Sequence, residues 1–341
     1  MDLLPTPEQE EIVTTVRAQL DKQFGLNALA ARDGADQVVS RELWRRCAEL
    51  GWFGLGLEES LGGVGYTVVE EALLFAELGS HATPGPFLAT VLSARLAATE
   101  GDAALAASIL SGDVLVALAE AESSGATVGA AVSGRFRVTD HGGADLFLAV
   151  GADPTAGMAI IDAVAATPEP SLDLQVPLGV VDLDSTAARV FVGDSSALWL
   201  RATVLLASQL AGSASATAAQ SVEYAKDREQ FGKPIGSFQA VKHRCADMAV
   251  LADAATSLSR YASLAVANGR PDGAFHAQAA WTIAARAAVT NAHVNVQNHG
   301  GIGFTWEHTA HRYVTRSQFL VRTLGNRAEH LDALLAEPAP S

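Results

Sequence analysis

The stretch from Val222 to His243 constrains the fold most, because it is typical of two helices joined by a short turn. The first helix is predicted to end at Gly232, since glycine readily adopts the left-handed conformation that terminates helices. Ser237 is predicted to cap the second helix. The apolar positions of that helix recur at helical spacing, at Val241, Cys245, Met248 and Ala252. A helical hairpin is therefore expected here.

Two side chains stand out in the turn of this hairpin. Arg228 brings a guanidinium close to the start of the second helix, where anions are favoured, and Phe231 offers a flat apolar surface beside it. Phe238 and Gln239 follow on the next first turn. These residues are typical of an anion-binding site. For the hairpin taken alone, a plain helical hairpin with a solvated arginine and a core phenylalanine is the favoured explanation.

The charge of the chain limits its partners. Its 341 residues carry a formal net charge of −15, which argues against nucleic acid and against an anionic membrane surface. A phosphate-bearing ligand would need a local cluster of basic side chains. Cys47 and Cys245 are too few for a disulfide framework or a metal site. With no apparent signal peptide or membrane-spanning apolar run, we expect a soluble, cytoplasmic protein.

Local patterns predict helices, then strands, then helices again. Thr6, Pro7 and Gln9 form a predicted capping box, and helical patterns continue to about Gly112. Short apolar runs predict strands at Val114–Ala119, Leu146–Val150, Ala159–Ile161 and Arg189–Val192. Further helices are predicted at Ala197–Gln230, Phe238–Ala267 and Phe275–Asn298, with a shorter one from about Glu307. The predicted domains are an all-α domain at 1–113, a reduced β-domain at 114–195, a helical bundle at 196–337 and a tail at 338–341.

Three segments resemble signatures of one enzyme family. They are Arg228–Gln239 (R-E-Q-F-G-K-P-I-G-S-F-Q), Gln297–Phe304 (Q-N-H-G-G-I-G-F) and Leu57–Thr67 (L-E-E-S-L-G-G-V-G-Y-T). They are similar to the arginine turn, the Q-x-x-G-G-x-G segment and an early loop of acyl-CoA dehydrogenases. The resemblance runs from about Thr6 to about Leu334. It implies a mainly α fold with an N-terminal helical domain, a middle β-barrel-like domain and a C-terminal four-helix bundle.

The resemblance also implies a cofactor and the residues that bind it. Acyl-CoA dehydrogenases pass a hydride from the substrate to FAD, which lies across a subunit interface. By motif match, Arg228 would contact the FAD pyrophosphate, with Phe231 beside it. The other implied FAD-binding residues are Phe238, Gln239, Gln297, Gly300 and Gly301. The alternative reading of the two glycines is that they only end a helix.

The catalytic base of the family has no counterpart in this sequence. Most members carry a glutamate before a glycine downstream of G-G-x-G, and Leu324 stands at that position here. Some relatives place the glutamate one helix earlier, which corresponds to Ala202. The flavin-holding strands are also shortened, at Ala119–Gly125 and Arg135–Thr139. No catalytic residue is therefore assigned to this chain.

The histidines and one acidic residue have simpler explanations than catalysis. Without a carboxylate at ligand spacing, surface histidines are favoured over a zinc site for His308, His311 and His330. Glu307 is expected to stabilise the start of a helix. No metal is predicted.

The resemblance is strongest to the short, base-less subunit of actinobacterial acyl-CoA dehydrogenases that act on steroid side-chain CoA esters. It implies a heterotetramer (α2β2) with a full-length subunit that supplies the glutamate, an acyl-CoA substrate and electron-transfer flavoprotein as the electron acceptor. Two alternatives remain open. One is a non-catalytic structural or regulatory protein with the same fold, and the other is a self-sufficient flavoenzyme that uses an unexpected base such as Glu307.

Overall fold

The computed structural model describes residues 3–24, 30–338 and 340. The described residues pack into two compact units. Unit 1 comprises those within Met1–Ala28, Val68–Thr83 and Thr203–Ser341, and unit 2 those within Leu29–Thr67 and Pro84–Ala202. The three-domain division at residues 113 and 195 stays a prediction.

The helices follow the order expected from the sequence pattern. They are α1 (Pro7–Gln23), α2 (Arg41–Glu49), α3 (Val68–Ser80), α4 (Phe87–Thr99), α5 (Ala103–Leu110), α6 (Ser196–Asp227), α7 (Gln239–Ala267), α8 (Gly273–His299), α9 (Ala310–Leu320) and α10 (Arg327–Ala336). Short 3₁₀ helices lie at Ala30–Arg32, Glu59–Leu61, Ile235–Ser237 and Gly300–Phe304. Of the helices in the described ranges, none has the length and apolarity needed to cross a bilayer.

The strands of unit 2 are β1 (Val116–Ala121), β2 (Ala131–Thr139), β3 (Leu146–Val150), β4 (Met158–Asp162), β5 (Thr167–Glu169) and β6 (Leu178–Val192). They form one sheet in the order β2-β1-β3-β4-β6-β5, and an additional β2–β6 pairing closes it on itself. Only β1 and β3 pair in parallel among these strands. Phe136, Phe147 and Ile161 fill the interior with other apolar side chains. The predicted β-barrel-like region is confirmed.

The sequence pattern predicts β1, β3, β4 and the end of β6, but it misses β2, β5 and the start of β6. Strand β2 has exposed or half-buried residues at most of its first five positions. Gly134 lies within it at φ +123°, where the register with β6 shifts. An irregular strand of this kind lacks the clean alternation that identifies strands from sequence.

Unit 1 is built around α6, α7 and α8. The buried side chain of Asn291 on α8 donates from Nδ2 to the backbone oxygens of Ala214 on α6 (3.0 Å) and Met248 on α7 (2.9 Å). A buried amide that bonds two neighbouring helices holds all three in one register. Helix α7 runs antiparallel to α8, since Tyr261 contacts His276 while Cys245 contacts Asn298.

Glycine allows α3 and α6 to approach closely in unit 1. A Cβ atom at Gly79 of α3 would lie 1.8 Å from the backbone oxygen of Gln209, and one at Gly212 of α6 would lie 1.9 Å from that of Ala76. Neither position tolerates a larger residue without moving a helix. Arg316 and Tyr313 of α9 fix the end of α3 by donating to the backbone oxygens of Ala82 and Ser80, respectively.

Helix termini provide a direct test of the local predictions. The Thr6 capping box is confirmed: Thr6 Oγ1 accepts from the Gln9 backbone NH, and Gln9 Oε1 accepts from the Thr6 NH. Asn268 and Gly269 end α7 as predicted, with Gly269 at φ +59°. The mainly α fold with a central β-barrel-like region is likewise confirmed.

Candidate functional site

The turn after α6 is a β-hairpin, and the predicted helix end at Gly232 is wrong. Helix α6 ends at Asp227, and two short strands follow, β7 (Glu229–Gln230) and β8 (Lys233–Pro234). Phe231 (φ +55°) and Gly232 (φ +76°) form the two-residue loop between them. A loop with positive φ at both central residues matches the twist of a tight hairpin. The glycine therefore serves the hairpin and not a helix terminus.

The predicted cap of α7 is also wrong. Its N-cap residue is Phe238, which makes no side-chain cap hydrogen bond. Ser237 Oγ instead donates to the Pro234 backbone oxygen at 2.7 Å. The reason is the 3₁₀ turn at Ile235–Ser237, which places the serine inside the turn, one residue before the cap position.

Phe231 is presented to solvent at the tip of the hairpin. Its side chain is 91% exposed, although a bulky residue at positive φ is strained. Its ring meets the edge of Phe238 with centroids 6.1 Å apart, and Lys233 Nζ lies 4.5 Å from the Phe238 centroid. These aromatic rings and the ammonium group form a small apolar and cationic surface.

Arg228 is exposed at the base of the hairpin. Among the described residues, its guanidinium has no hydrogen-bond or ion-pair partner, and its backbone is held by bonds to Tyr224 and Ile235. The surrounding stretch 226–244 carries five basic and two acidic side chains, in a chain whose net charge is −15. The hairpin is therefore a local cationic region in an acidic protein, as a phosphate-binding surface requires.

The glycine-rich turn lies at the same end of the bundle as the hairpin. The ring of Tyr224, one turn before Arg228, stacks on His299 with centroids 4.2 Å apart. His299 immediately precedes Gly300, where α8 ends. The pair was not singled out from the sequence. The sequence does carry a signal for this pair: an aromatic residue four positions before Arg228 and a histidine next to the glycines.

Gly300 and Gly301 border open space. Gly300 adopts φ +62° and ψ −140°, a conformation essentially restricted to glycine. A Cβ atom at Gly301 would meet no atom within 4 Å beyond its chain neighbours. Packing within this chain does not require a glycine there, which leaves the backbone open to a ligand or another chain. Gly303 differs, because a Cβ there would lie 2.7 Å from the Val296 backbone oxygen.

The remaining predicted binding residues surround these two turns. Gln239 begins α7 and is exposed, and Phe238 precedes it half-buried. Gln297 lies on the last turn of α8 with an exposed side chain, and its backbone oxygen accepts from the Gly300 NH. Asn298, beside it, is buried and contacts the sulfur atoms of Cys245 and Met248 on α7. The ends of α6, α7 and α8 thus bring the predicted residues to one end of unit 1.

Both positions considered for a catalytic base are buried and apolar. Ala202 is fully buried on α6, within unit 2. Leu324 is 3% exposed in unit 1, at φ +54° in the loop between α9 and α10. The next helix closes that loop: Asn326 Oδ1 accepts from the Ala328 NH, and Glu329 Oε2 accepts from the Asn326 NH at 2.7 Å. Neither position offers a group that can accept a proton.

The histidines make structural contacts. His308 Nδ1 accepts from the Ala310 NH at 3.1 Å, and burial, with His299 and His311 nearby, lowers the pKa of His308. His311 packs against Trp306. His330 stacks on Trp281 with centroids 3.6 Å apart, so the prediction of a surface position is wrong for this buried residue. In the described part of the chain, no cluster of histidine, cysteine or acidic residues has the geometry of a metal site.

Glu307 does not cap a helix. Helix α9 begins at Ala310, three residues later than predicted, and its first NH is accepted by His308. The 3₁₀ turn at Gly300–Phe304 and the exposed Trp306 occupy the chain before it. Glu307 is exposed.

The shortened strand segments are held by ion pairs on the barrel. Arg135 Nε lies 2.9 Å from Glu122 Oε2 and its Nη1 lies 3.2 Å from Asp182 Oδ2. Arg137 lies 3.7 Å from Glu120. These charged side chains pair with one another on the surface of the barrel in unit 2. Their pairing does not point to a ligand.

Comparisons with known proteins agree with this architecture. Residues 6–112 match the N-terminal domain model of acyl-CoA dehydrogenases and residues 200–336 match the C-terminal domain model. Acyl-CoA dehydrogenase IpdE2 of Mycobacterium tuberculosis is 32% identical over 339 residues, which cover 98% of either chain. IpdE2 of Mycolicibacterium smegmatis is 32% identical over 332 residues, covering 97% of this chain and 98% of that protein.

Solved structures show the same similarity in three dimensions. The ChsE4–ChsE5 complex from Mycobacterium tuberculosis contains a chain that superposes with a TM-score of 0.87 at 27% identity, covering 99% of this chain and 100% of that one. A variant of the Tcur3481–Tcur3483 steroid acyl-CoA dehydrogenase (ACAD) gives a TM-score of 0.84 at 25% identity, with 96% of each chain covered. The chain belongs to the acyl-CoA dehydrogenase family and resembles the steroid type found in actinobacteria.

Proposed function

We propose that this chain is the base-less subunit of a flavin-dependent acyl-CoA dehydrogenase complex. In this proposal it binds the adenosine and pyrophosphate of FAD, and a full-length relative supplies the catalytic glutamate. The observation that carries the proposal is the hairpin at Phe231, which has a strained, exposed aromatic ring at its tip and, at its base, an arginine with no side-chain partner among the described residues. The strain at Phe231 is not offset by burial, and Arg228 adds a positive charge at the same hairpin, so the hairpin suits a ligand that carries both a negative charge and a ring.

The residues at this end of the bundle fit FAD. A dinucleotide pyrophosphate carries two negative charges, which the unpartnered guanidinium of Arg228 can bind through paired hydrogen bonds. Open space beside Gly300 and Gly301 would let phosphate oxygens approach the backbone closely. Phe231 and Phe238 offer ring surfaces for the adenosine, with Gln239 and Gln297 exposed nearby.

In this proposal the chain binds the cofactor, and a second subunit abstracts the proton. Bound FAD would accept the hydride from the β-carbon of an acyl-CoA thioester. Arg228 would hold and orient the pyrophosphate, and the aromatic rings would exclude water from the adenosine. Ala202 and Leu324 cannot accept the α-proton, because an alkyl side chain has no basic atom. A second, glutamate-bearing subunit is therefore part of the proposal, in an α2β2 assembly.

The substrate and electron acceptor are proposed from the relatives. A structural neighbour is described as a steroid ACAD, and another is a complex of two differently named chains, ChsE4 and ChsE5. The first supports a steroid CoA ester, here proposed to be a side-chain ester, as substrate, and both support a heteromeric assembly. Electron-transfer flavoprotein is the proposed acceptor of the reducing equivalents, and the cytoplasm the proposed location.

Flavin content and activity test the proposal together. The chain should be purified alone and after co-expression with a full-length, glutamate-bearing relative from the same genome. We expect the isolated chain to be nearly colourless and inactive, and the co-purified complex to show flavin absorbance and to reduce an electron acceptor with an acyl-CoA.

Two outcomes would overturn this assignment. An isolated chain with full flavin occupancy and acyl-CoA dehydrogenase activity would make it a self-sufficient enzyme. A complex whose flavin content and activity are the same with and without this chain would make it a structural or regulatory protein.

A further inference from the structure

A large cavity lies within unit 1, away from the hairpin and the glycine-rich turn. It has a volume of about 940 Å³ and is bordered by α1 and the residues before it, α3, α6 and α7. The volume falls in the upper part of the range for small-molecule sites, about 300–1,000 Å³. Several residues that line it on α3 and α6 are small, including Ala76, Ala211 and Ser215. Larger residues there would have filled it.

Among the described residues, the charged groups of this cavity leave one positive charge uncompensated. The charged residues that line it there are Arg17, Glu77 and Arg260. Arg17 makes two hydrogen bonds to Glu77, from Nε at 3.0 Å and from Nη2 at 2.7 Å, so this pair is neutral overall. For the guanidinium of Arg260, the described ranges contain no hydrogen-bond or ion-pair partner. An exposed arginine in an acidic protein needs no partner, but this one is half-buried in an apolar wall.

A second polar group without a partner in the described residues lines the same cavity, on the residue that precedes Arg260 in α7. Ser259 is 4% exposed, lines the cavity, and its hydroxyl has no hydrogen-bond partner within the described part of the chain. Other lining serines behave differently. Ser208 and Ser215 donate to backbone oxygens of their own helix, at 2.9 and 3.0 Å, and Ser263 donates to the Arg260 oxygen. A buried hydroxyl without a partner is unfavourable unless a ligand supplies one.

We propose that this cavity binds an apolar monocarboxylate, a long-chain or polycyclic carboxylic acid in its free form. The apolar walls would take the hydrocarbon body, and the carboxylate would accept hydrogen bonds from Arg260 and Ser259. One uncompensated positive charge matches one carboxylate. A CoA thioester, with several phosphate charges, does not match this lining. The inference is independent of the flavin site, because no residue is shared.

Binding can be measured on the full chain, both alone and in its complex, by titration calorimetry with sodium dodecanoate. Dodecan-1-ol serves as the uncharged probe of the same length. We expect Arg260→Gln to weaken dodecanoate binding about tenfold to a hundredfold and to leave dodecanol binding unchanged, since only the charge-assisted contact is lost. Ser259→Ala should weaken dodecanoate binding less. Arg286→Gln, an exposed arginine in the middle of α8, is the matched control and should change nothing.

Filling the cavity gives a second test. Ser215→Phe should abolish binding of both probes while flavin content of the complex stays unchanged. Ala219→Phe, at the exposed rim, replaces it if the first variant does not fold. The proposal is wrong if dodecanoate does not bind, or if Arg260→Gln binds it as tightly as the parent. It is also wrong if the isolated chain binds dodecanoate and the complex does not, because the cavity would then be covered by the partner subunit.

Discussion

Two turns of unit 1 share positive φ at two consecutive residues but differ in their surroundings. Phe231–Gly232 in the hairpin and Leu324–Gly325 between α9 and α10 both place a bulky residue and a glycine at positive φ. The left-handed conformation costs a bulky residue about 1–2 kcal/mol. Leu324 offsets this by burial, being 3% exposed, whereas Phe231 is 91% exposed and gains nothing comparable within the chain.

The two turns differ in how completely the chain itself packs against them. At Leu324 the first turn of α10 closes the loop: a Cβ atom at Gly325 would already lie 3.1 Å from Glu329. At Phe231 no atom lies within 4 Å of a Cβ placed on Gly232. Backbone strain in an exposed turn can be compensated when a partner or ligand packs against it. We therefore expect the Leu324 loop to respond to mutation through stability, and the hairpin through binding.

The largest effect is expected from Leu324→Glu. Placing a carboxylate in this buried apolar loop should lower the free energy of unfolding by at least about 3 kcal/mol at pH 7, measured by denaturant titration. Leu324→Met keeps the volume and the positive φ and should cost less than about 1.5 kcal/mol. A Leu324→Glu chain that is fully stable and gains dehydrogenase activity would show that this loop opens onto a substrate, contrary to the comparison.

Arg228→Ala tests the hairpin. In the assembled complex, losing a charge-assisted contact to phosphate should weaken FAD affinity about tenfold to a hundredfold, with little change in thermal stability. Arg286→Ala removes an equally exposed arginine from the middle of α8 and serves as the control. Unchanged FAD affinity in Arg228→Ala would place the pyrophosphate elsewhere.

The helix that follows the buried Leu324 loop, α10, carries a histidine that makes stability depend on pH. Burial against Trp281 lowers the pKa of His330 from 6.5 to about 4, and Nδ1 lies 2.8 Å from Gln278 Oε1, to which it donates. The folded state resists protonation of His330. The contribution of the neutral imidazole to the free energy of unfolding is therefore complete above pH 6.5 and is lost as the pH falls toward 4. Between pH 7.5 and pH 5 the loss should be about 2 kcal/mol.

His330→Gln isolates that contribution from the other histidines. The variant should be less stable than the parent at pH 7.5, and its free energy of unfolding should fall less between pH 7.5 and pH 5. Equal pH slopes for the two proteins would mean that His330 is solvated in the native state.

The smallest effect is expected from Glu307→Gln. This carboxylate is exposed and precedes α9 without capping it. The complex carrying the change should turn over within about threefold of the parent, whereas the same change at the partner's glutamate should cost at least about a hundredfold. Loss of activity with FAD still bound would assign a catalytic group to this chain.

Local sequence signals were accurate where the interaction is local. The Thr6 capping box and the Asn268–Gly269 terminus depend on residues a few positions apart, and both are confirmed. The errors at Gly232, Ser237 and Glu307 have one cause. Each segment has turn chemistry that fits two structures, and the chain adopts a tight turn where the sequence pattern predicts a helix terminus.

The sequence by itself determined the fold family, the succession of a helical region, a strand region and a second helical region, and the two turns that carry the family's signatures. Those features rest on periodicity, caps and motifs that are readable along the chain. Only the tertiary structure decided that Leu324 is buried while Phe231 is exposed, since burial depends on which helices close over each turn. The same holds for the cavity beside Arg260: its charge pairing requires Arg17 to meet Glu77 across 60 residues, which no local pattern specifies.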